Sequence, residues 1–312
     1  MVHVVFVGGG GNVGRDIVDE IVKQGEHQVT VFSRKTIPDL TESGVNVVTI
    51  KNYSDQDELT SALRGVHTVL SFISWDPGNV AQKSLIGACI AAGVKRFAPT
   101  QWGIRSKSGF PGYAPKDEVH EYLQQLNADG PVLEYCLFQP GVFMNYLAHP
   151  LQTAKHLYIS GTHIDVVKKH VLIVEDGEAW YTYTTIQDTA KVVARALSYP
   201  GKWPETGGFY GGRAREKDVV KLVEEIKGEP FERHVLRIAD LEKGEFNSSW
   251  IPVNDHPNMP PEFKGEGIMR QILPAFLLAA HRGAADVDPV WNSLLPDLQL
   301  EDVETFLRRV LK

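Results

Sequence analysis

Four consecutive glycines, Gly8 to Gly11, separate the apolar run HVVFV from the helical-period stretch GRDIVDEIVKQG. A β-branched run predicts a buried strand, and apolar residues at helical spacing predict a helix. Glycines between the two let the backbone turn tightly and approach a ligand where a Cβ would intrude. The periodicity starts the helix just after Gly14, which leaves amide N–H groups and the positive end of its dipole over residues 8–13. That arrangement is an anion site. Gly8, Gly11 and Gly14 follow G-x-x-G-x-x-G, and Gly9, Gly11 and Gly14 contain the G-x-G-x-x-G spacing. A structural turn is the plainer reading. The position after a first strand and before a first helix favours dinucleotide binding, with Gly8, Gly10, Gly11, Asn12, Val13 and Gly14 along the pyrophosphate.

The rest of the first half supports a sheet that such a turn needs. QVTVFSR, VNVVTI, VHTVLSFIS, VKRFAPT and LEYCLFQPG read as strands two to six, with helical segments between them that stop at Gly25, Gly65 and Gly93. Strands separated by helices pair in parallel, so the expectation is an α/β fold with a doubly wound Rossmann sheet. The second half is less regular. It predicts a smaller, interleaved C-terminal substrate lobe, with residues 1–150 as the nucleotide-binding domain and 151–312 mainly as that lobe. EDGE, 175–178, reads as a hairpin turn, Asp188 as a carboxylate at a helix start, and GIMRQILPAFLLAAHRG as a core helix broken or kinked at Pro274.

The end of the second strand bears on which nucleotide. An acidic residue there would bind the ribose 2′-hydroxyl of NAD, but VFSRK offers Ser33, Arg34 and Lys35, with no carboxylate before Asp39. The guanidinium fork of arginine suits a 2′-phosphate, so NADP(H) is the expected cofactor. A solvated basic loop tip is the alternative. A net charge of −7 without a basic patch argues against nucleic acid. No apolar run is long enough for a membrane span. The absence of a secretory signal pattern and two cysteines in apolar contexts, Cys89 and Cys136, point to a reducing cytoplasm. The Asn52 and Asn247 sequons are then chance matches. His163 and His170 flank Asp165 at a spacing that fits no metal template, and no metal is expected.

Read together, VFVGGGGNVG, VFSRK, KRFAPTQWG, YAPKDEVHEYL, LEYCLFQPGVFMNYL, YTYTTIQDTAKVVARAL and WNSLLPDLQLEDVETFL resemble the NmrA-like and isoflavone-reductase-like branch of the atypical short-chain dehydrogenases. The likeness runs over nearly the whole chain, and the RF-x-P-x-x-WG element is most like fungal members. It implies an NADP(H)-binding Rossmann domain and a cleft closed by the C-terminal lobe. Reductases of this group use a lysine in the helix before the sixth strand, and Lys116 matches that place. Tyr113 lies three residues from Lys116, not four, so the tyrosine of ordinary short-chain dehydrogenases is not carried over.

The resemblance also implies that Ile73 and Ser74 lie along the cofactor and Trp75 at the cleft edge. Strand ends in such sheets face the ligand, so Thr100 or Gln101, after the fifth strand, would bond ribose or substrate. Phe143 would cover the nicotinamide, and Trp102 and Phe143 would border the substrate. Strand-end packing is the alternative for each. The implied activity is NADPH-dependent reduction of a small, aromatic or polyketide-like metabolite, with Lys116 as proton donor or relay. The alternatives are a non-catalytic NADP sensor bound to a regulatory protein, or an isomerase or cyclase on the same scaffold. The sequence leaves monomer and homodimer open.

Overall fold

The computed structural model describes residues 1–73, 76–255, 261 and 264–312. Its central sheet contains β1 (His3–Val7), β2 (Gln28–Ser33), β3 (Asn46–Thr49), β4 (Thr68–Ser71), β5 (Arg96–Ala98) and β6 (Glu134–Tyr135). All neighbours pair in parallel in the order β3-β2-β1-β4-β5-β6. The connections carry α1 (Asn12–Gln24), α2 (Pro38–Glu42), α3 (Gln56–Ala62), α4 (Val80–Ala92) and α5 (Ala114–Leu126). This is the expected doubly wound α/β architecture. The strand order reverses between β1 and β4, which opens a crevice at their carboxyl ends.

Strand β1 shows why the sequence reads as an unbroken apolar run. Val4 and Phe6 face one core and Val5 and Val7 the other, and all four are buried. A sheet covered on both faces has no polar side to present. Helix α1 turns Ile17, Val18 and Ile21 to the sheet and ends at Gly25, whose φ of 68° is the left-handed conformation that glycine adopts without a Cβ clash.

The second half adds β7 (Leu137–Gln139), β8 (Val142–Phe143), β9 (Ile164–Asp165), β10 (His170–Val174), β11 (Trp180–Thr184), β12 (Thr206–Gly208), β13 (Gly212–Arg215) and β14 (Glu232–Leu236). Its helices are α6 (Ile186–Leu197), α7 (Glu216–Lys227), α8 (Ile238–Leu241), α9 (Gly265–His281), α10 (Val290–Leu294) and α11 (Val303–Val310). Strands β14-β10-β9 and β13-β11-β8 form two small sheets, and β12 pairs with β7. Residues Ala190, Val193, Leu197, Trp203 and Trp291 return to the core beneath α1. Among the described residues no helix is long and apolar enough to cross a membrane.

Several local expectations are corrected. Helix α1 opens at Asn12, ahead of Gly14, with Gly11 at its N-cap. The sixth strand changes partners midway: Cys136 N–H donates to Phe97 O, and Leu137 N–H donates to Glu205 O. The backbone thus leaves β5 and continues against β12. The 175–178 turn exists, with Gly177 N–H donating to Val174 O, but it is no hairpin. Its flanking strands belong to different sheets, because β10 pairs with β14 and β11 with β13. The second half, which shows no obvious sheet by pattern, gains these pairings between distant segments. Helix α9 runs through Pro274, with Leu273 and Leu277 on either side packed into one core with Leu172 and Leu236.

Candidate active site

The glycine turn hangs between the ends of two strands. Gly8 N–H donates to Phe32 O at 2.9 Å, and Phe72 N–H donates to Val7 O at 2.8 Å. A Cβ on Gly8 would meet Phe72 O at 3.1 Å, and one on Gly14 would stand 2.9 Å from both Gly9 Cα and Phe72 Cγ. Helix α1 therefore sits as close to β4 as glycine allows. A Cβ on Gly10 would overlap the Ile37 side chain, whereas Gly11 faces open space. Among the described residues no side chain caps α1. Val13 turns its side chain to the cores on either side of it. A strap from the second half reaches this opening: Tyr158 N–H donates to Asn12 Oδ1 at 3.1 Å, and Leu157 N–H donates to Asp16 Oδ2 at 2.8 Å.

At the end of β2, Ser33 is half-buried while Arg34 and Lys35 beyond it are exposed, and Lys35 N–H donates to Ser33 Oγ. The carboxylate that follows, Asp39, is bound to Arg15 at 2.6 Å, and that guanidinium holds it below the usual carboxylate range. The loop thus presents two cations and keeps its acid engaged with α1.

Across the crevice lies a cavity of about 350 Å³ lined by Ile73, Asn79, Gln82, Thr100, Gln101 and Lys116. Lys116 sits on the first turn of α5, beside the carboxyl end of β5. Its Nζ donates to Gln101 O at 2.8 Å and stands 4.1 Å above the centre of the Tyr113 ring. Burial lowers its pKa from 10.5 to about 8, against an opposing pull from Asp117. The Tyr113 phenol is pushed the other way by burial, up to about 12, and its oxygen accepts from Ile104 N–H. A Cβ on Gly103 would overlap that phenol, so glycine after Trp102 is what admits the ring.

A polar relay forms the opposite wall. Gln82 Nε2 donates to Thr100 Oγ1 at 2.6 Å, and Thr100 lies 3.1 Å from Ser71 Oγ. Gln82 Oε1 is buried without a partner among the described residues, which leaves an acceptor for a ligand. Asp76 accepts from the Ala81 and Gln82 backbone and starts α4, while Asn79 Nδ2 binds Pro115 O and Glu118, tying that start to α5. Gln82, Asn79 and Asp76 escaped the sequence reading, since the residues of a helix start look structural.

Other expected residues are placed elsewhere. Trp102 does not border the cavity. It is buried, stacks on Phe72 at 4.6 Å and Phe138 at 5.5 Å, and donates Nε1–H to Ser71 O at 2.8 Å. The indole has its polar and apolar partners in the core, so it is a packing anchor. Phe143 is buried with Leu157, Ile159 and Ile186, beside Val13 at the start of α1, and its ring meets Tyr146 edge-on at 5.7 Å. Ser74 and Trp75 lie outside the described residues. His163 is buried, and burial drives its pKa down to about 4. Asp188 is placed as expected, in the first turn of α6, where Thr185 is the cap and Asp188 pairs with Lys191 and accepts from Glu301 N–H.

A glycine turn at the switch point of a doubly wound sheet, facing a cavity with a buried lysine, defines the class: an α/β protein of the dinucleotide-binding type. The chain belongs to the NmrA-like family, whose model matches residues 2–306. It is similar to oxidoreductase swnN of Metarhizium robertsii, at 26% identity over 339 aligned positions that cover 99% of this chain and 97% of that one. Phenylcoumaran benzylic ether reductase POP1 of Populus trichocarpa is 26% identical, with 98% of each chain covered. The solved complex of leucoanthocyanidin reductase with NADPH from Vitis vinifera matches with a TM-score of 0.71 and 15% identity, covering 99% of each chain.

Proposed function

We propose that this protein is an NADPH-dependent reductase of a small aromatic or polyketide-like metabolite, and that Lys116 donates the balancing proton. The observation that carries the reading is the Lys116 ammonium, held at 2.8 Å by the Gln101 carbonyl on a cavity wall, with its pKa lowered to about 8. Near neutral pH such a group is charged yet acidic enough to give up its proton. The whole-length likeness to an NADPH-bound reductase structure and to named reductases and oxidoreductases supports the same assignment.

The residues fit the nucleotide. Gly8 and Gly14 let the turn and α1 close onto the end of β4, Gly11 faces open space at the α1 N-cap, the opening of α1 suits the pyrophosphate, and Arg34 and Lys35 suit the 2′-phosphate. Bound NADPH supplies a hydride to an activated C=C or C=O. The chain's own residues do the rest. Gln101 O fixes the direction of the Lys116 N–H bonds, and the Tyr113 ring stabilises the ammonium from below. As the substrate gains hydride, a Lys116 N–H bond breaks, a C–H or O–H bond forms, and the neutral amine regains its proton from water. Gln82 Oε1 accepts from a substrate or nucleotide donor in the cavity.

The test is the loss of NADPH absorbance across enones, quinones and aromatic ketones, with binding of each nicotinamide nucleotide followed by calorimetry. At least one class should be turned over with NADPH, and Arg34→Ala with Lys35→Ala should erode the preference over NADH. Tight NADP binding without turnover of any class, together with retention of a regulatory protein, would favour the sensor reading. Absence of heat from either nucleotide would refute nucleotide binding altogether.

A further inference from the structure

A second cluster of ligating side chains lies in the small sheet, apart from the Lys116 cavity. His170 on β10 and Glu232 on β14 are direct register partners in a parallel pair. His234 follows Glu232 by two residues, so strand alternation puts all three on one face. His170 Nδ1 and His234 Nε2 are 3.1 Å apart. Glu232 places Oε2 3.5 Å from His170 Nδ1 and Oε1 3.5 Å from His234 Nε2. One donor atom from each residue lies within 4.8 Å of the others.

These separations match the edges of a coordination polyhedron. A tetrahedral zinc ion with bonds of about 2.0–2.1 Å has ligand atoms about 3.3–3.4 Å apart. The two imidazoles and one carboxylate are also a donor set used by zinc, with the fourth position left to water. His234 is nearly buried, His170 is partly buried and Glu232 is exposed, so one side of the cluster opens to solvent. Trp250 closes the other side. Its ring stacks on His170 at 5.1 Å and on His234 at 5.8 Å. The neighbouring charges are otherwise engaged, Lys169 with Glu229 and Arg233 with Glu224.

We propose that His170, Glu232 and His234 form a site for a zinc-type divalent transition-metal ion that clamps β10 to β14 beneath Trp250. A small turn of the exposed Glu232 side chain brings one oxygen to the shared position, and the ion replaces the contact between the two rings. The clamp joins segments that are far apart in the chain, and it steadies the stretch around Trp250 that precedes α9. It is independent of the reductase assignment.

The test uses the full chain, stripped of metal with a chelator, and titrates Co²⁺ and Zn²⁺ alone. One Co²⁺ per chain should bind with the intense visible bands of a four-coordinate ion, quench Trp250 fluorescence, and be displaced by Zn²⁺. Zinc should raise the melting temperature of the wild-type protein. His170→Ala, His234→Ala and Glu232→Gln should each weaken binding at least tenfold, and Trp250→Phe should remove the quenching while keeping the bands. The proposal is overturned if the stripped wild-type protein gives no four-coordinate cobalt spectrum, or if the His170→Ala/His234→Ala double variant binds the ion as tightly. Should those variants fail to fold, the wild-type spectrum and its displacement by zinc decide the question.

Discussion

The sharpest test of the proton-donor assignment is the pH dependence of the reaction. Lys116 ionises at about 8 instead of 10.5 because burial penalises its charge. That displacement corresponds to about 3 kcal/mol against the ammonium. The sign follows directly: the donor is the protonated form, so reduction holds below pH 8 and falls as pH rises through it. About nine-tenths of the sites are charged at pH 7 and about one-tenth at pH 9. A plot of log kcat/KM against pH should therefore break near 8 and descend with unit slope. Lys116→Ala should lose about a hundredfold or more in kcat, lose the break, and keep its affinity for NADPH. Lys116→Arg separates two roles, since a guanidinium keeps the charge but does not release a proton in this range. It should be nearly as inactive as the alanine variant. Full activity in Lys116→Arg with the alkaline break gone would show that positive charge suffices, and would refute proton donation.

Two further perturbations address stability. Trp102→Ala should cost about 3–5 kcal/mol in denaturant unfolding, because it empties a stacked core position; a change in KM without a loss of stability would return Trp102 to the substrate side. Glu216 is buried, and burial pushes its pKa from 4.5 up to about 8, so it folds as the neutral acid. Its contribution is fully present below pH 4.5 and is lost as pH rises toward 8. Glu216→Gln should therefore gain on wild type in melting scans as pH rises from 5 to 8 and keep a constant margin above that, and a pH-independent difference across that range would contradict the argument.

The Rossmann half is legible because local chemistry and global fold demand the same residues there. Strand β1 must be apolar on both faces, α1 must end on a residue that accepts φ of 68°, and Gly14 must lack a Cβ where α1 meets Phe72. Each demand restricts the residue type, and each is visible in one chain. Partner choice in the second half imposes no such restriction. Nothing in HVLIV indicates that its parallel neighbour lies at residues 232–236, and nothing in LEYCLFQPG indicates that the chain leaves β5 after β6 and pairs β7 with β12. The His170 cluster is hidden for that reason: Glu232 and His234 come from a strand some sixty residues further along the chain.

Side-chain direction is the other limit. An aromatic at a strand end serves a cleft or a core equally well by pattern, and Trp102 goes inward because Phe72, Phe138 and the Ser71 carbonyl satisfy it there. Lys116 is the opposite case. A lysine on a first helical turn is ordinarily solvated, and only the resemblance marks it in the sequence. The structure supplies the cause: Gly103 admits the Tyr113 ring, the ring lies under the ammonium, and Gln101 O receives it. A residue's chemistry is thus set by three neighbours that are unremarkable by pattern. Burial in that pocket lowers its pKa by more than the ring's attraction raises it, so a variant such as Gly103→Ala that pushes Tyr113 out and admits water should let the pKa rise again.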